Sequence, residues 1–282
     1  MQAVILCGGF GTRIRDVADD VPKPMIPIGG KPILWHIMKG CARHGITDFI
    51  LCLGYKSWII KRWFLDYRLA LADFTLRLGS SEEPDIHGDH GDPDEDWRIT
   101  FVETGLTTMT GGRLKRIEPY LRGETFMVTY GDGLADVDLG DLLKFHGSHG
   151  RIGTVTTVRP PGRFGELDLD GDRVADFSEK PLAAPGWVSG GFFVFDRSFL
   201  DRMDDDPDLV LERQPLMGLA HDSELMAYRH AGFWHPMDSS RDHKLLNDLF
   251  AAGNAPWVTW HDAGRGLAAK PQAPAPRVFT GG

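Results

Sequence analysis

The stretch AVILCGGFGTR, residues 3–13, runs five apolar residues straight into Gly8, Gly9 and Gly11 and then into Thr12-Arg13. Glycines in such a turn let the backbone approach a ligand closely and present amide donors to anionic oxygens, and an arginine at the end of the loop adds a fixed cation. The spelling excludes two familiar phosphate loops. A GxGxxG loop counted from Gly9 needs glycine where Ile14 stands, and the acidic residue it needs about 20 positions on is missing; a P-loop would close on Lys-Ser/Thr. A second cation follows in VPKPMIPIGGKP, where Lys23 lies between Pro22 and Pro24. Both prolines fix φ and lack an amide donor, so the lysine is expected on a stiff, extended segment. Polyphosphate binding by a glycine loop, Arg13 and Lys23 is the chemistry this spacing suggests. For the loop by itself, a glycine turn with a surface arginine is the alternative.

Asp132 sits in Gly131-Asp132-Gly133, directly after the apolar run at 125–130. The flanking glycines leave room for a phosphate, although Asp-Gly alone is equally a turn. No Ser-His-Asp or Cys-His set stands out. His87 and His90 with Asp85 and Asp89 have metal-like spacing, but in an acidic, glycine-rich stretch they read as solvated. Cys7, Cys41 and Cys52 lie on apolar segments without CxxC spacing, which argues for reduced core thiols of a cytoplasmic protein.

The elements that must carry these residues alternate strand and helix. Residues 4–7 read as a buried strand; Leu34, Ile37, Met38 and Cys41 repeat at helical spacing up to Gly45; residues 49–53 are a second strand, with a helix through Ile60, Trp63, Phe64 and Tyr67. Strands at 125–130 and 152–158 flank a helix at 139–149 closed by Gly150, so a mainly parallel sheet is predicted. GELDLDGDRVADFSEK turns on Asp170-Gly171-Asp172 as a hairpin, and residues 187–195 read as a further strand. These look like β-rich additions to the same sheet, followed by a late helix through Leu245, Leu246, Leu249 and Phe250. Trp35, Trp58, Trp63 and Phe64 are expected in the core or in subunit contacts. The acidic stretch SSEEPDIHGDHGDPDEDW reads as a solvated loop, and residues 261–282, rich in Ala, Pro and Gly, as a disordered tail.

With 282 residues, 42% of them hydrophobic and 25% charged, the chain can bury a large core, and its net charge of −9 argues against a nucleic-acid partner. Neither a targeting peptide nor a membrane span is expected.

GGFGTR followed by PKPMIPIGGKP, and then in order WHIMKGCARHGITDFI, TGLTTMTGGRLKRI, VTYGDGLADV, PPGRFGELD, EKP, SGGFFVF, DSELMAYRHAGFWHPMD and APW, resembles the sugar-1-phosphate nucleotidyltransferases. Within them it is most similar to the branch that takes CTP and glucose 1-phosphate, over residues 1–260. The resemblance implies an α/β, Rossmann-like fold with a mixed, mainly parallel sheet flanked by helices. It also implies one domain over 1–260, with a nucleotide-binding half at about 1–135 and a sugar-binding half at about 136–260. The implied reaction makes CDP-glucose and pyrophosphate. The attacking sugar-phosphate oxygen carries its own charge near neutral pH, a phosphoryl second pKa being about 6, so no protein nucleophile is demanded.

By the same resemblance Mg²⁺ is the cofactor and Asp132 and Asp238 are its ligands. Leu6, Gly8, Gly9, Gly11, Thr12, Arg13, Lys23 and Gly131 cradle the nucleotide, with Thr108 and Arg113 at nucleotide-contact positions; a guanidinium there can donate to the O2/N3 edge of cytosine. Glu179 and Lys180 contact the sugar and its phosphate, and Gly165, Gly190 and Gly191 let backbone approach the hexose. Arg13, Lys23, Asp132 and Lys180 form the implied catalytic set. A homo-oligomer, with a hexamer as one form, is also implied. The chain departs from the pattern at Val21, where a lysine is usual, and at Ser239-Ser240, where Thr-Leu is more common. UTP, dTTP or another hexose 1-phosphate therefore remain open. A silent regulatory subunit would be expected to lack Arg13, Lys23, Asp132 or Asp238, and all four are present.

Overall fold

The computed structural model describes residues 1–11, 14, 17, 20–79, 83–89, 91–92, 95–160, 166–170, 173–178 and 186–260, of which 89, 166–170 and 173–178 are described by backbone alone. The apolar runs form the middle of one eight-stranded sheet. Thr125–Tyr130, Gln2–Leu6, Asp48–Leu53 and Arg98–Glu103 lie side by side in that order, all parallel. Beyond Thr125–Tyr130, Phe193–Asp196 pairs antiparallel and leads to Gly153–Val158, which also pairs with Val188–Ser189 and, in parallel, with Leu225–Arg229.

Successive side chains on a strand face opposite ways, and here both faces are covered. Ala3, Ile5, Phe49, Leu51 and Met127 pack on Ile33, Leu34, Ile37 and Met38 of the helix Ile33–Arg43. Val4, Leu6, Ile50, Cys52, Phe126 and Val128 pack on Leu114 of Thr110–Arg116 and Leu219 of Gln214–His221. Burial on two sides explains why these strands are unbroken apolar runs rather than alternating ones. The three cysteines are free and buried. Among the described residues no helix is long and apolar enough to cross a membrane.

Several expectations are corrected. The strand expected over 187–195 is split into Val188–Ser189 and Phe193–Asp196, because Gly191 and Phe192 turn through positive φ of 75° and 45°. The hairpin Glu166–Asp170/Arg173–Ser178 forms its own two-stranded sheet instead of joining the large one. Within the expected acidic loop, Asp85–Asp89 is a strand paired antiparallel with Ala72–Thr75, and His87 Nε2 lies 2.7 Å from Thr75 Oγ1. His90 and the tail 261–282 lie outside the described residues.

Gln2–Leu6 has Asp48–Leu53 on one side and Thr125–Tyr130 on the other. The chain thus leaves Gln2–Leu6 and Thr125–Tyr130 toward opposite sides of the sheet. Their carboxyl ends open a crevice, the usual ligand position in an open α/β sheet.

Candidate active site

A cleft of about 420 Å³ lies over those two strand ends. It is lined by residues 6–11, Lys23, Pro24, residues 106–110, Arg113, residues 130–132 and Asp238. The carboxylates of Asp132 and Asp238 meet there because of a small antiparallel ribbon. Gly133–Ala135 pairs with Trp234–Pro236, with Gly133 opposite Pro236, and the Met237 amide donates to the Asp132 carbonyl at 2.9 Å. The residue before one strand and the residue shortly after the other are thereby brought to the same end.

Asp238 is held in turn by the start of the helix Ser240–Ala251. The amides of Asp238 and Ser239 donate to Asp242 Oδ2 at 3.1 and 2.9 Å, and Ser239 and Asp242 form a reciprocal capping box. Asp242 Oδ1 lies 3.0 Å from His235 Nε2. Burial works against the Asp242 carboxylate, but hydrogen bonds from Ser239 and His235 and the charge on His235 hold its pKa below the ordinary value. Asp242 escaped the sequence reading, although Ser239-x-x-Asp242 is a capping-box spelling. Ser239, one of the two departures from the family pattern, is the N-cap itself.

Lys23 begins a short 3₁₀ turn, Lys23–Met25, rather than the extended segment expected from its two prolines. Its Nζ donates to Asp132 Oδ2 at 2.7 Å and to Asp238 Oδ1 at 2.6 Å. The lysine side chain is 12% exposed and the two carboxylates 34% and 31%. Burial alone would lower the ammonium pKa; the charge of Asp132 and the hydrogen bonds to both carboxylates outweigh it, and the pKa is raised.

Arg113 is held by acceptors of the protein itself. Its Nη1 donates to Leu53 O at 2.9 Å and Thr104 Oγ1 at 2.8 Å, and its Nη2 to Gly8 O at 3.1 Å and Leu106 O at 3.3 Å. All four terminal N–H groups are thus engaged inside the protein, leaving the fork expected to reach a cytosine edge tied beneath the glycine loop. Gly8 is required by this arrangement, since a Cβ there would lie 2.0 Å from Arg113 Nη1, whereas a Cβ on Gly9 would meet nothing within 4 Å. Thr108 lines the cleft, but it is buried and its hydroxyl accepts from Arg116 Nη1 at 2.9 Å.

Leu6, Gly8, Gly9, Gly11, Lys23, Thr108, Arg113, Gly131, Asp132 and Asp238 all line this one cleft. Gly190 and Gly191 do not line it. Gly190 already donates to Thr156 O and accepts from Trp234 Nε1, both at 2.8 Å, and Gly191 stands beside the Tyr130 ring. Thr12, Arg13, Gly165, Glu179 and Lys180 lie outside the described residues. Tyr130 was missed by the sequence reading. It lines the cleft and donates to Glu212, whose other oxygen accepts from Thr110 Oγ1 at 2.7 Å. No local pattern announces a partner 82 residues away.

Two carboxylates converging on one cation suit a hard ion such as Mg²⁺, which binds through one or two carboxylates and takes its other ligands from water and substrate phosphates. Among the described residues no cluster of three or more His, Cys, Asp or Glu could hold a metal ion by itself.

Residues 2–264 match the family model described as nucleotidyl transferase. The chain is 48% identical to a glucose-1-phosphate cytidylyltransferase from Salmonella typhi, over 92% of this chain and all of that one. It is 31% identical to a mannose-1-phosphate guanylyltransferase from Mycobacterium tuberculosis, over 96% of this chain and 67% of the relative. Among solved structures, HddC from Yersinia pseudotuberculosis superposes with a TM-score of 0.63 at 23% identity, covering 88% of this chain and 99% of that one, a likeness of fold.

Proposed function

The chain belongs to the nucleotidyl transferase family, and on that premise we propose that it transfers the cytidylyl group of CTP to glucose 1-phosphate, forming CDP-glucose and pyrophosphate. The observation that carries this reading is the convergence of the glycine loop, Lys23, Asp132 and Asp238 on one cleft at the sheet's switch point. The substrate pair is taken from the relative at 48% identity, which is matched over its whole length.

A sugar-phosphate oxygen attacks the α-phosphorus of CTP and pyrophosphate leaves in line, so the protein's task is positioning and neutralisation of charge. The amides of the loop face the triphosphate, and the open space over Gly9 is where the ligand comes closest to backbone. Asp132 and Asp238 would hold Mg²⁺, which when bound neutralises charge developing on the phosphates. Lys23 adds a mobile positive charge, and Arg13, Glu179 and Lys180 have the roles that the resemblance implies. Trp58, Leu65, Phe74, Leu76 and Leu78 are exposed, and self-association of a cytoplasmic homo-oligomer would give side chains of this kind cover.

A second reading, use of UTP or dTTP, is favoured by one observation: the Arg113 fork is already engaged, which leaves cytosine without that discriminating donor. Pyrophosphate release from purified protein with glucose 1-phosphate and each of CTP, UTP, dTTP, ATP and GTP, repeated with EDTA, separates the readings. A metal-dependent preference for CTP is expected. Release with another triphosphate overturns the nucleotide assignment, and silence with all five overturns the choice of sugar phosphate or the enzymatic reading itself.

A further inference from the structure

We propose that Lys23 is an internal counter-cation that occupies the metal position between Asp132 and Asp238 until a nucleoside triphosphate arrives, so that the metal ion enters together with the nucleotide and not before it. The inference rests on the reading of this cleft as a metal-assisted nucleotidyltransferase site. A single nitrogen touches both carboxylates, at 2.7 and 2.6 Å, and the oxygens it touches are ones a divalent ion would need. An ammonium and a dication cannot share them at contact distance without strong repulsion in a partly dry site.

The lysine side chain is 12% exposed and the carboxylates 34% and 31%, so the pair stays more open to a ligand than the ammonium that bridges it. The backbone beneath Lys23 is fixed: the Met25 amide donates to Pro22 O at 2.8 Å and the Ile26 amide to Lys23 O at 3.1 Å. Exchange is therefore a rotation of a flexible four-carbon side chain. Its root lies against the glycine loop, where a Cβ on Gly11 would be 3.1 Å from Lys23 Cβ. From there the ammonium can pass to phosphates held by the loop without any movement of main chain.

The trigger is competing charge: a bound triphosphate offers the ammonium new anionic partners and offers the metal the oxygens that two carboxylates cannot supply. Metal and nucleotide affinities are then coupled, and the coupling is reciprocal.

Titration of the full chain with Mn²⁺, followed by loss of the free-ion electron paramagnetic resonance signal, tests this without reading activity. Wild type is expected to bind Mn²⁺ with CTP present and only weakly without it. Lys23→Met should bind Mn²⁺ without nucleotide at least about tenfold more tightly than wild type does, since the competing cation is gone. Adding Asp132→Asn to that variant should abolish the gain. Removing the lysine leaves two carboxylates facing each other, so Lys23→Gln serves as a second variant, and a Mn²⁺-dependent rise in Tm, absent from nucleotide-free wild type, is a second readout for both.

Equal nucleotide-free affinity in wild type and Lys23→Met overturns the proposal. If wild type with CTP binds Mn²⁺ normally at the same time, the metal assignment survives that loss. Absence of Mn²⁺ binding in every protein, with or without CTP, overturns the metal assignment and this proposal together.

Discussion

Two cations lie in the walls of the same cleft and are held in opposite ways. Arg113 is 5% exposed and spends its fork on three backbone carbonyls and a hydroxyl, all neutral. Burial lowers its pKa, but a guanidinium does not give up its proton in a protein, so it persists as a fixed clamp joining Leu53, Gly8 and Leu106. Lys23 faces two carboxylates through a single atom, and their charges raise its pKa despite burial. A rigid fork with several neutral acceptors builds a wall. A point charge on a flexible stem between two anions can be exchanged for another cation. The wall around Arg113 is thus closed by protein partners, whereas the carboxylate pair is bridged by a cation that another can replace.

The largest effect is expected on the exchangeable side. Asp132→Asn keeps the shape of the side chain and one acceptor for Lys23, so the fold should persist by circular dichroism. It should also lower turnover by about 100-fold or more, because one of the two carboxylates proposed for the metal is gone. Near-normal turnover would remove Asp132 from the metal site. On the clamp side the loss should be one of stability. Arg113→Lys leaves buried carbonyls without donors and should cost about 2–4 kcal/mol, read from denaturant unfolding, because an ammonium cannot reproduce the fork. If unfolding is unchanged and only selectivity among CTP, UTP and dTTP relaxes, Arg113 is a base-reading residue after all and the contrast between the two cations fails.

The sequence carries the exchangeable side more plainly than the clamp. Asp132 between its glycines and Lys23 between its prolines are visible locally, and the unbroken apolar runs at 4–7 and 49–53 announce buried strands. What brings Asp132 to Asp238 is the pairing of Gly133 with Pro236, a register that no local pattern encodes. The clamp is harder to read for a related reason. Two of the four acceptors of Arg113, Leu53 O and Gly8 O, are 60 and 105 residues away, so TGGRL by itself does not show that the guanidinium turns inward toward them. Asp85–Asp89 was read as loop because an edge hairpin with little apolar content has no alternation to detect; its strand character comes from the Ala72–Thr75 partner.

Adjacent glycines sharpen the comparison at smaller scale. Gly8→Ala places a methyl 2.0 Å from Arg113 Nη1 and should destabilise by about 1–3 kcal/mol. Gly9→Ala meets no protein atom within 4 Å, so the unfolding free energy should change by less than about 0.5 kcal/mol. The KM for the triphosphate should nevertheless rise roughly tenfold, a misfit of about 1.4 kcal/mol. A stability loss at Gly9 equal to that at Gly8 would mean that the loop is not built to leave that space open.

The smallest effect is expected behind Asp238. Asp242→Asn retains an oxygen able to accept from the Asp238 and Ser239 amides while removing the charge that faces His235 and the helix N-terminus, for which about 0.5–1 kcal/mol is expected at neutral pH. The pKa of Asp242 is lowered below 3.8 in the folded chain, so its charge stabilises the fold above that pH, and the contribution disappears as pH falls through the lowered value. Unfolding midpoints of wild type and Asp242→Asn should therefore differ at pH 7 and converge in strong acid, with turnover at pH 7 reduced by no more than about threefold, a barrier change below about 0.7 kcal/mol. A difference that persists below the carboxyl pKa would assign the effect to lost packing or geometry at the helix start rather than to charge, and the support behind Asp238 would then belong with the fixed wall instead of the exchangeable one.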